Sequence, residues 1–374
     1  MPLKHLSFLR RVSLLSWPLI ILITFMSCIG FAILFSAAKG NIDPWASAQM
    51  KRFLLLFPLM IFVAIVDIRI WLKSSYFIYG GVLILLILVE LFGTTAMGAT
   101  RWIRLGPFNI QPSEPMKVCI IFALARYFHA MPLADIARPT MLIPPLLMIA
   151  LPFLLIMKQP DLGTALILLL IGATIFFVAG VRMWKFALVG VSGLATLPVL
   201  WQYVMHDYQK KRVLTFLDPE SDPLGDGYNI LQSKIAIGSG GFTGKGFLHG
   251  SQSQLSFLPE KQTDFIFTMF SEEFGFIGGV AVILLYAIII AYGIMIALNC
   301  RNHYGRLLGM GVVSLFFMHI FINIGMTMGL LPIVGAPLPL LSYGGTIMST
   351  ILIAFGLLLN VHLHSDEKID RNAG

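Results

Sequence analysis

About twenty consecutive apolar residues make a helix long enough to cross a bilayer. Such stretches recur ten times in this chain, near 17–38, 52–68, 76–96, 115–130, 141–157, 162–180, 185–203, 265–297, 307–330 and 342–363. Between them only 12% of residues are charged, against roughly a quarter in a soluble domain. Mean hydropathy is +0.86, and 57% of residues are hydrophobic. These features predict an all-α polytopic membrane protein with about ten transmembrane helices, forming one integral-membrane unit over residues 1–374. A free cytosolic enzyme, a disordered chain, a collagen-like fibre and a secreted disulfide scaffold are excluded.

The net charge of +8 is spread over short loops and reads as a topology signal, not as a nucleic-acid-binding face. With Arg126 and Lys185 near span ends included, the N-terminus, the even-numbered loops and the C-terminal tail hold 13 Lys and Arg, against 6 in the short odd-numbered loops with Arg52 at a span edge. The positive-inside rule therefore predicts a multi-pass arrangement with both termini in the cytoplasm. Lys4, Arg10 and Arg11 precede the first apolar run with no small-residue cleavage site, which predicts an uncleaved first span. Cys28, Cys119 and Cys300 lie in or beside apolar runs without ligand spacing, so neither a disulfide nor a zinc site is expected.

One loop is long, 204–264, and the topology puts it outside the cytoplasm. It holds 7 of the 18 acidic residues and 6 Lys and Arg. Loops of this length are uncommon unless functional or disordered. Tyr228 to Ile237 reads as a short amphipathic, interfacial helix, and Gly238–Gly241 with Gly244–Gly246 as tight turns.

Ionisable residues at membrane depth cost about 2.5–3.5 kcal/mol each on insertion scales, so each asks for a reason. Asp67, beside Arg69, reads as a solvated helix end, and Glu90 is left open between structure and function. Asp161 stands at the start of an apolar run. Glu114 and Lys117 share one helix face, three residues apart, after which Pro115 suits a first helical turn. They form either an ion pair that tolerates burial or part of a polar cavity open to the outside. Arg101, Trp102 and Gln111, just upstream, could hold a phosphate or sugar headgroup, or form an aromatic belt with flanking cations. Asp264 closes the long loop and is either a helix cap or a carboxylate available as a general base. Of Glu272 and Glu273, at least one should face the bundle interior.

Other chemistries find no support. Around Gly244-Lys245-Gly246 the positions that a Walker A loop or a GxGxxG turn requires are wrong, so nucleotide binding is not expected. The eight His show no metal-ligand spacing, and there is no Gly-x-Ser-x-Gly elbow.

Taken in order, several motifs resemble the SEDS family of bacterial cell-wall proteins (shape, elongation, division and sporulation). They are Gly98-Ala-Thr-Arg-Trp102, Gln111-Pro-Ser-Glu114 with Lys117, Gln159-Pro-Asp-Leu-Gly-Thr164, and His206-Asp-Tyr-Gln209 with Arg212. Leu217–Gly225, Gln232–Gly241, Gly244-Lys-Gly246 and Leu258–Phe267 continue the match through the long loop, and Asn323-Ile-Gly325, Leu331–Gly335 and Pro337–Gly345 end it. The loop pieces fit the family's elongation member better than its division member. Lys261-Gln262 replaces an Arg-His pair of relatives, at a position that tolerates change.

The resemblance implies a peptidoglycan glycosyltransferase of the bacterial cytoplasmic (inner) membrane. Such an enzyme polymerises lipid II during cell elongation, alongside a class B penicillin-binding protein and the elongation machinery. It also implies that Asp264 is the essential loop aspartate, Glu114 and Lys117 the cavity pair, and Arg101, Trp102 and Gln111 outward-facing positions. Inverting glycosyl transfer needs a base for the acceptor hydroxyl and positive charge for the departing diphosphate. Asp264 could supply the first. Arg101, Lys117, Arg212, Lys234, Lys245 or a divalent cation such as Mg²⁺ or Mn²⁺ could supply the second. Two rival readings are a lipid II flippase, suited by the intramembrane charges, and a catalytically silent scaffold for the transpeptidase.

Overall fold

The computed structural model describes residues 7–371, leaving aside 97–98, 106–107, 133–134, 206, 223–224, 255–257 and 259. Lys4, Gly98, His206, Pro223, Leu224, Phe257 and Pro259, which the sequence reading uses, lie outside the described residues. A short helix α1 (Phe8–Ser13) leads into α2 (Trp17–Ala37), α3 (Trp45–Ile65) and α4 (Ile68–Phe92). Strands β1 (Thr94–Ala96), β2 (Ala99–Leu105) and β3 (Phe108–Ile110) follow, then α5 (Ser113–Ala130), α6 (Ile143–Lys158), α7 (Leu162–Val178) and α8 (Met183–Val199). Helices α9 (Asp207–Leu217), α10 (Asp226–Ser239) and α11 (Ser251–Gln254) precede α12 (Ile266–Asn299), α13 (His303–Thr327) and α14 (Gly345–Leu363).

The protein is an all-helical polytopic membrane protein, and among the described residues ten long helices overlap the ten apolar runs. Among the described residues, seven segments are long and apolar enough to span a bilayer by themselves. Helix α5 carries Glu114, Lys117 and Arg126, and α7 and α8 are shorter. Helix α5 crosses as a member of a bundle that buries Glu114 and Lys117. Local chemistry sets the boundaries. Asp67 accepts a hydrogen bond from the Arg69 N–H at 2.9 Å and caps α4, so this aspartate is a helix end, as expected. Asp161 caps α7 through the Thr164 N–H, and Asn302 caps α13 through the Gly305 N–H. Glu90 pairs with Lys158 at 3.4 Å, both side chains well exposed.

The centre of the bundle is α13 and α14. Of their apolar windows 72% and 78% is buried, against 22% for α4. Helix α14 packs along α3, and α13 contacts α5, α7 and α12. By contrast α8 exposes nearly all of its side chains.

Two features depart from the sequence reading. Strands β1, β2 and β3 pair antiparallel in the order β1-β2-β3, with Trp102 opposite Thr94 and Ile103 opposite Ile110. The long loop is also largely helical and folded back on the bundle. Helix α10 buries Ser233, which hydrogen-bonds the Thr268 hydroxyl and the Thr327 carbonyl, each at 2.6 Å. Ile230 and Ala236 of α10 join Leu258, Phe265 and Ile333 in a second small apolar core. Only the other face of α10, with Lys234 and Ile235, is exposed.

The glycine-rich segment after α10 has a structural task. Helix α12 is interrupted at Gly275, whose φ of +66° is left-handed. An unbroken helix would bond the N–H groups of residues 276 and 277 to the carbonyls of 272 and 273. Here Phe276 and Ile277 donate instead to the Gly241 and Phe242 carbonyls, at 2.9 and 3.1 Å. The freed Glu272 and Glu273 carbonyls accept from the Lys245 and Gly246 N–H groups, at 3.1 and 3.0 Å. Residues 241–246 thus fill the break with the bonds the helix lost. Gly244 is required because a Cβ there would collide with the Glu273 carbonyl.

Candidate active site

Asp264 lies one residue before the N-cap of α12. That cap is Phe265, which makes no side-chain capping bond, so the helix-cap reading of Asp264 is corrected. Its backbone is held from the far end of the chain. Asn323 on α13 donates to the carbonyls of Asp264, at 2.9 Å, and Ala336, at 2.7 Å. The Ser342 hydroxyl donates to the Thr263 carbonyl at 2.6 Å, and the Tyr343 N–H donates to the Gln262 carbonyl at 2.8 Å. Gly335, with φ +70°, leaves space against the carboxylate. A Cβ at that residue would stand 3.4 Å from Asp264 Oδ2.

The Asp264 side chain is only partly exposed and lies deep among protein atoms. Burial pushes its pKa up to about 7, with Glu260 adding to the rise, Arg212 opposing it and Asp161 reinforcing it. A carboxyl group tuned to that range can both accept and hold a proton near neutral pH.

A groove of about 870 Å³ opens between α3, α4, α5 and α14. Its walls are apolar, among them Leu55, Leu59, Ile78, Val118, Phe122 and Leu357. Its polar lining includes Arg52, Trp102, Asn109, Thr263 and Tyr343. Thr263, which lines it, immediately precedes Asp264 in the chain. Arg52 donates to the Tyr343 hydroxyl at 3.1 Å and lies 4.6 Å from the centre of that ring. Gln49 steadies the corner by donating to the Ser342 carbonyl at 3.0 Å.

The other expected site residues divide into groups. Trp102 lines the groove. Arg101 and Gln111 hold the turn between α6 and α7. Arg101 donates to the Gln159 carbonyl at 2.9 Å and to the Pro160 carbonyl, and Gln111 donates to Asp161 at 3.0 Å. Glu114 and Lys117 do not face the groove, although Pro115, Val118 and Cys119 of the same helix do. They form a buried ion pair at 2.8 Å, extended by a 2.8 Å bond between Lys117 Nζ and His319 Nε2. Of the two readings left open for this pair, the outward-open cavity is therefore replaced by the buried ion pair. Arg212, on α9, acts on Asp264 by charge. Lys234 is exposed, with its stem over Gly329. Lys245 is paired at 2.8 Å with Glu272, whose side chain is fully buried. Glu272 and Glu273 both face inward.

Sequence reasoning missed Arg52, His319, Asn323 and Tyr343 as contributors. Asn323 and Tyr343 stood in the family motifs without a role. Arg52 was counted as a loop charge, although the structure makes it part of α3.

Among the described residues, no cluster of three or more His, Cys, Asp or Glu could hold a metal ion. Asp161 influences Asp264 by charge, while its own oxygens accept from the Thr164 N–H and from Gln111.

Comparison with known proteins agrees with this architecture. The family model for FtsW, RodA and SpoVE cell cycle proteins matches residues 10–367. The peptidoglycan glycosyltransferase MrdB of Escherichia coli K12 is 39% identical over 352 residues, covering 93% of each chain. The peptidoglycan glycosyltransferase RodA of Treponema pallidum is 34% identical over 81% of this chain and 86% of that one. Among solved structures, a chain from a study of polymerization and crosslinking by a peptidoglycan synthase complex superposes with a TM-score of 0.82 at 33% identity. It covers 95% of this chain and 99% of that one. The rod shape determining protein RodA of Thermus thermophilus gives 0.70 at 29% identity, over 95% and 98%. On a match running nearly end to end in sequence and in structure, this chain belongs to the FtsW/RodA/SpoVE family of cell cycle proteins, the SEDS family.

Proposed function

We propose that this protein is a peptidoglycan glycosyltransferase that polymerises lipid II into glycan strands during cell elongation, with Asp264 as general base. One observation carries the reading: a carboxyl group with a pKa of about 7 directly follows Thr263, a residue that lines a long, mostly apolar groove. That juxtaposition suits a substrate whose reacting sugar is tied through a diphosphate to a hydrocarbon tail. The tail lies along the groove, and the diphosphate meets Arg52 and the Tyr343 hydroxyl. In the reaction the Asp264 carboxylate takes the proton of the acceptor hydroxyl while that oxygen bonds to the anomeric carbon. The carbon–oxygen bond to the diphosphate breaks, and the lipid diphosphate leaves with the electron pair. Arg212 serves both needs: its charge lowers the pKa of Asp264 and draws anions toward the site. A bound divalent cation would neutralise leaving-group charge.

In this reading the site faces the outer side of the bacterial cytoplasmic membrane, with both termini in the cytoplasm, which the Lys and Arg distribution supports. The partner is a class B penicillin-binding protein transpeptidase within the elongation machinery, consistent with the synthase-complex relative. The test is lipid II polymerisation by purified protein plus partner in detergent, for wild type and Asp264→Asn, with and without divalent cation. Wild-type rates from the Asp264→Asn protein would remove the base assignment. A flippase is the second reading, favoured by the buried Glu114–Lys117–His319 chain inside the bundle. Polymerisation in detergent, where no transport is possible, decides against it.

A further inference from the structure

The break in α12 leaves a nine-residue helical stub, 266–274, that begins two residues after Asp264. Its near end is fixed by the Asn323, Ser342 and Tyr343 bonds already described. Its far end carries Glu272 and Glu273, both buried. Glu273 takes the Ser36 hydroxyl of α2. Glu272 Oε1 takes three donors: Lys245 Nζ at 2.8 Å, the Gln252 N–H at 2.9 Å and the Ser251 hydroxyl at 3.3 Å. Lys245 belongs to the segment that fills the helix break, and its own N–H donates to the Glu272 carbonyl at 3.1 Å. One lysine therefore grips one glutamate through both backbone and side chain.

We propose that Lys245 is a positioning residue for Asp264, acting through Glu272 on the α12 stub and not on the substrate. This rests on the glycosyltransferase reading but assigns Lys245 differently from a diphosphate-binding cation. A buried carboxylate that loses its cation is strongly destabilising, whereas removing both charges together is often tolerated. The stub joins this pair to the reacting carboxylate in fewer than three helical turns, so a shift at Glu272 is passed to Asp264. The backbone bonds of residues 241–246 explain why the segment needs glycines. The Lys245–Glu272 pair explains why the residue between Gly244 and Gly246 is a cation.

The test is a charge-removal cycle in the full-length protein with its partner: Lys245→Met, Glu272→Gln and the double variant. Each is assayed for lipid II polymerisation kinetics and thermal unfolding, with rates normalised to monodisperse folded protein. The expected result for Lys245→Met is a fall in kcat of about tenfold or more with KM within about twofold, as misplacement of a reacting group produces. The double variant should recover most of both kcat and thermal stability. A double variant as slow as Lys245→Met, or a rise in KM at unchanged kcat, would overturn the proposal in favour of substrate contact. Loss of thermal stability with an unchanged rate per folded molecule would also overturn it, leaving a purely structural pair. The wild-type rate in the same assay tests the glycosyltransferase reading itself, so the two readings fail separately.

Discussion

Two carboxylates connect to α13 through residues on one face of it, and they are treated in opposite ways. Glu114 is buried with its own cation, Lys117, three residues along the same helix, and His319 completes the set. Asp264 is deep in the protein with two other carboxylates, Glu260 and Asp161, in electrostatic reach and Arg212 opposing them. The first arrangement makes a charge inert by closing its electrostatics internally. The second leaves part of the charge cost uncompensated, and the proton affinity rises accordingly. Both connect to one helix, because His319 and Asn323 stand one turn apart on α13 and reach the ion pair and the Asp264 carbonyl respectively.

Breaking each side of this contrast should have different consequences. Asp264→Asn is expected to cost the most, about 10²–10⁴-fold in polymerisation rate with the fold retained, measured by glycan-strand formation from lipid II. Lys117→Met should act on stability first. Leaving Glu114 buried without its cation should cost about 3–5 kcal/mol, read by denaturant or thermal unfolding in detergent, and Glu114→Gln added to it should restore much of the loss. Arg52→Met removes the cation in the groove's polar lining and should raise KM for the lipid substrate about tenfold with a smaller change in kcat, in a substrate titration.

The smallest effects concern pH, and their sign is fixed by the raised pKa of Asp264. Between the ordinary value of 3.8 and about 7 the folded protein holds a proton that the unfolded chain has released. Stability contributed by this group is therefore full below about 4 and declines as pH rises through 7. Asp264→Asn should flatten that decline in thermal melts across pH 4–8. Activity should move the other way, with kcat/KM climbing as the carboxylate ionises and levelling off above about 7. A rate profile flat from pH 5 to 8 would count against Asp264 as the base.

The apolar runs made the spans legible, since ten stretches of the right length leave few alternatives in lipid. Caps such as Asp161 were legible only as charges at run ends, because their partners lie in the next turn. The three-stranded sheet was not legible. Its outer strands, β1 and β3, have only three residues each, too short to display a two-residue period, and pairing with β2 depends on contacts that the sequence does not show. Helix α9 was hidden for a different reason: Asp207–Leu217 is polar, and its position in a long loop argued for irregular structure. Asp264 stood out as a carboxylate at the mouth of a span. What tunes and holds it did not, since Asn323, Gly335 and Ser342 are some sixty to eighty residues away in sequence. Lys117 was read correctly as one of a pair, but its third partner, His319, is on a helix two hundred residues later.

The filled break in α12 also bears on how the chain is assembled. Backbone groups left open in lipid cost several kcal/mol each, so an interrupted span has to be closed from elsewhere. The residues that close it, 241–246, are synthesised before residues 275–277 that need them. The patch is therefore already made when the damaged stretch of helix emerges. A chain carrying the same two segments in reverse order would have to insert an open backbone and wait for its cover. Order along the polypeptide here serves biogenesis as well as the folded site.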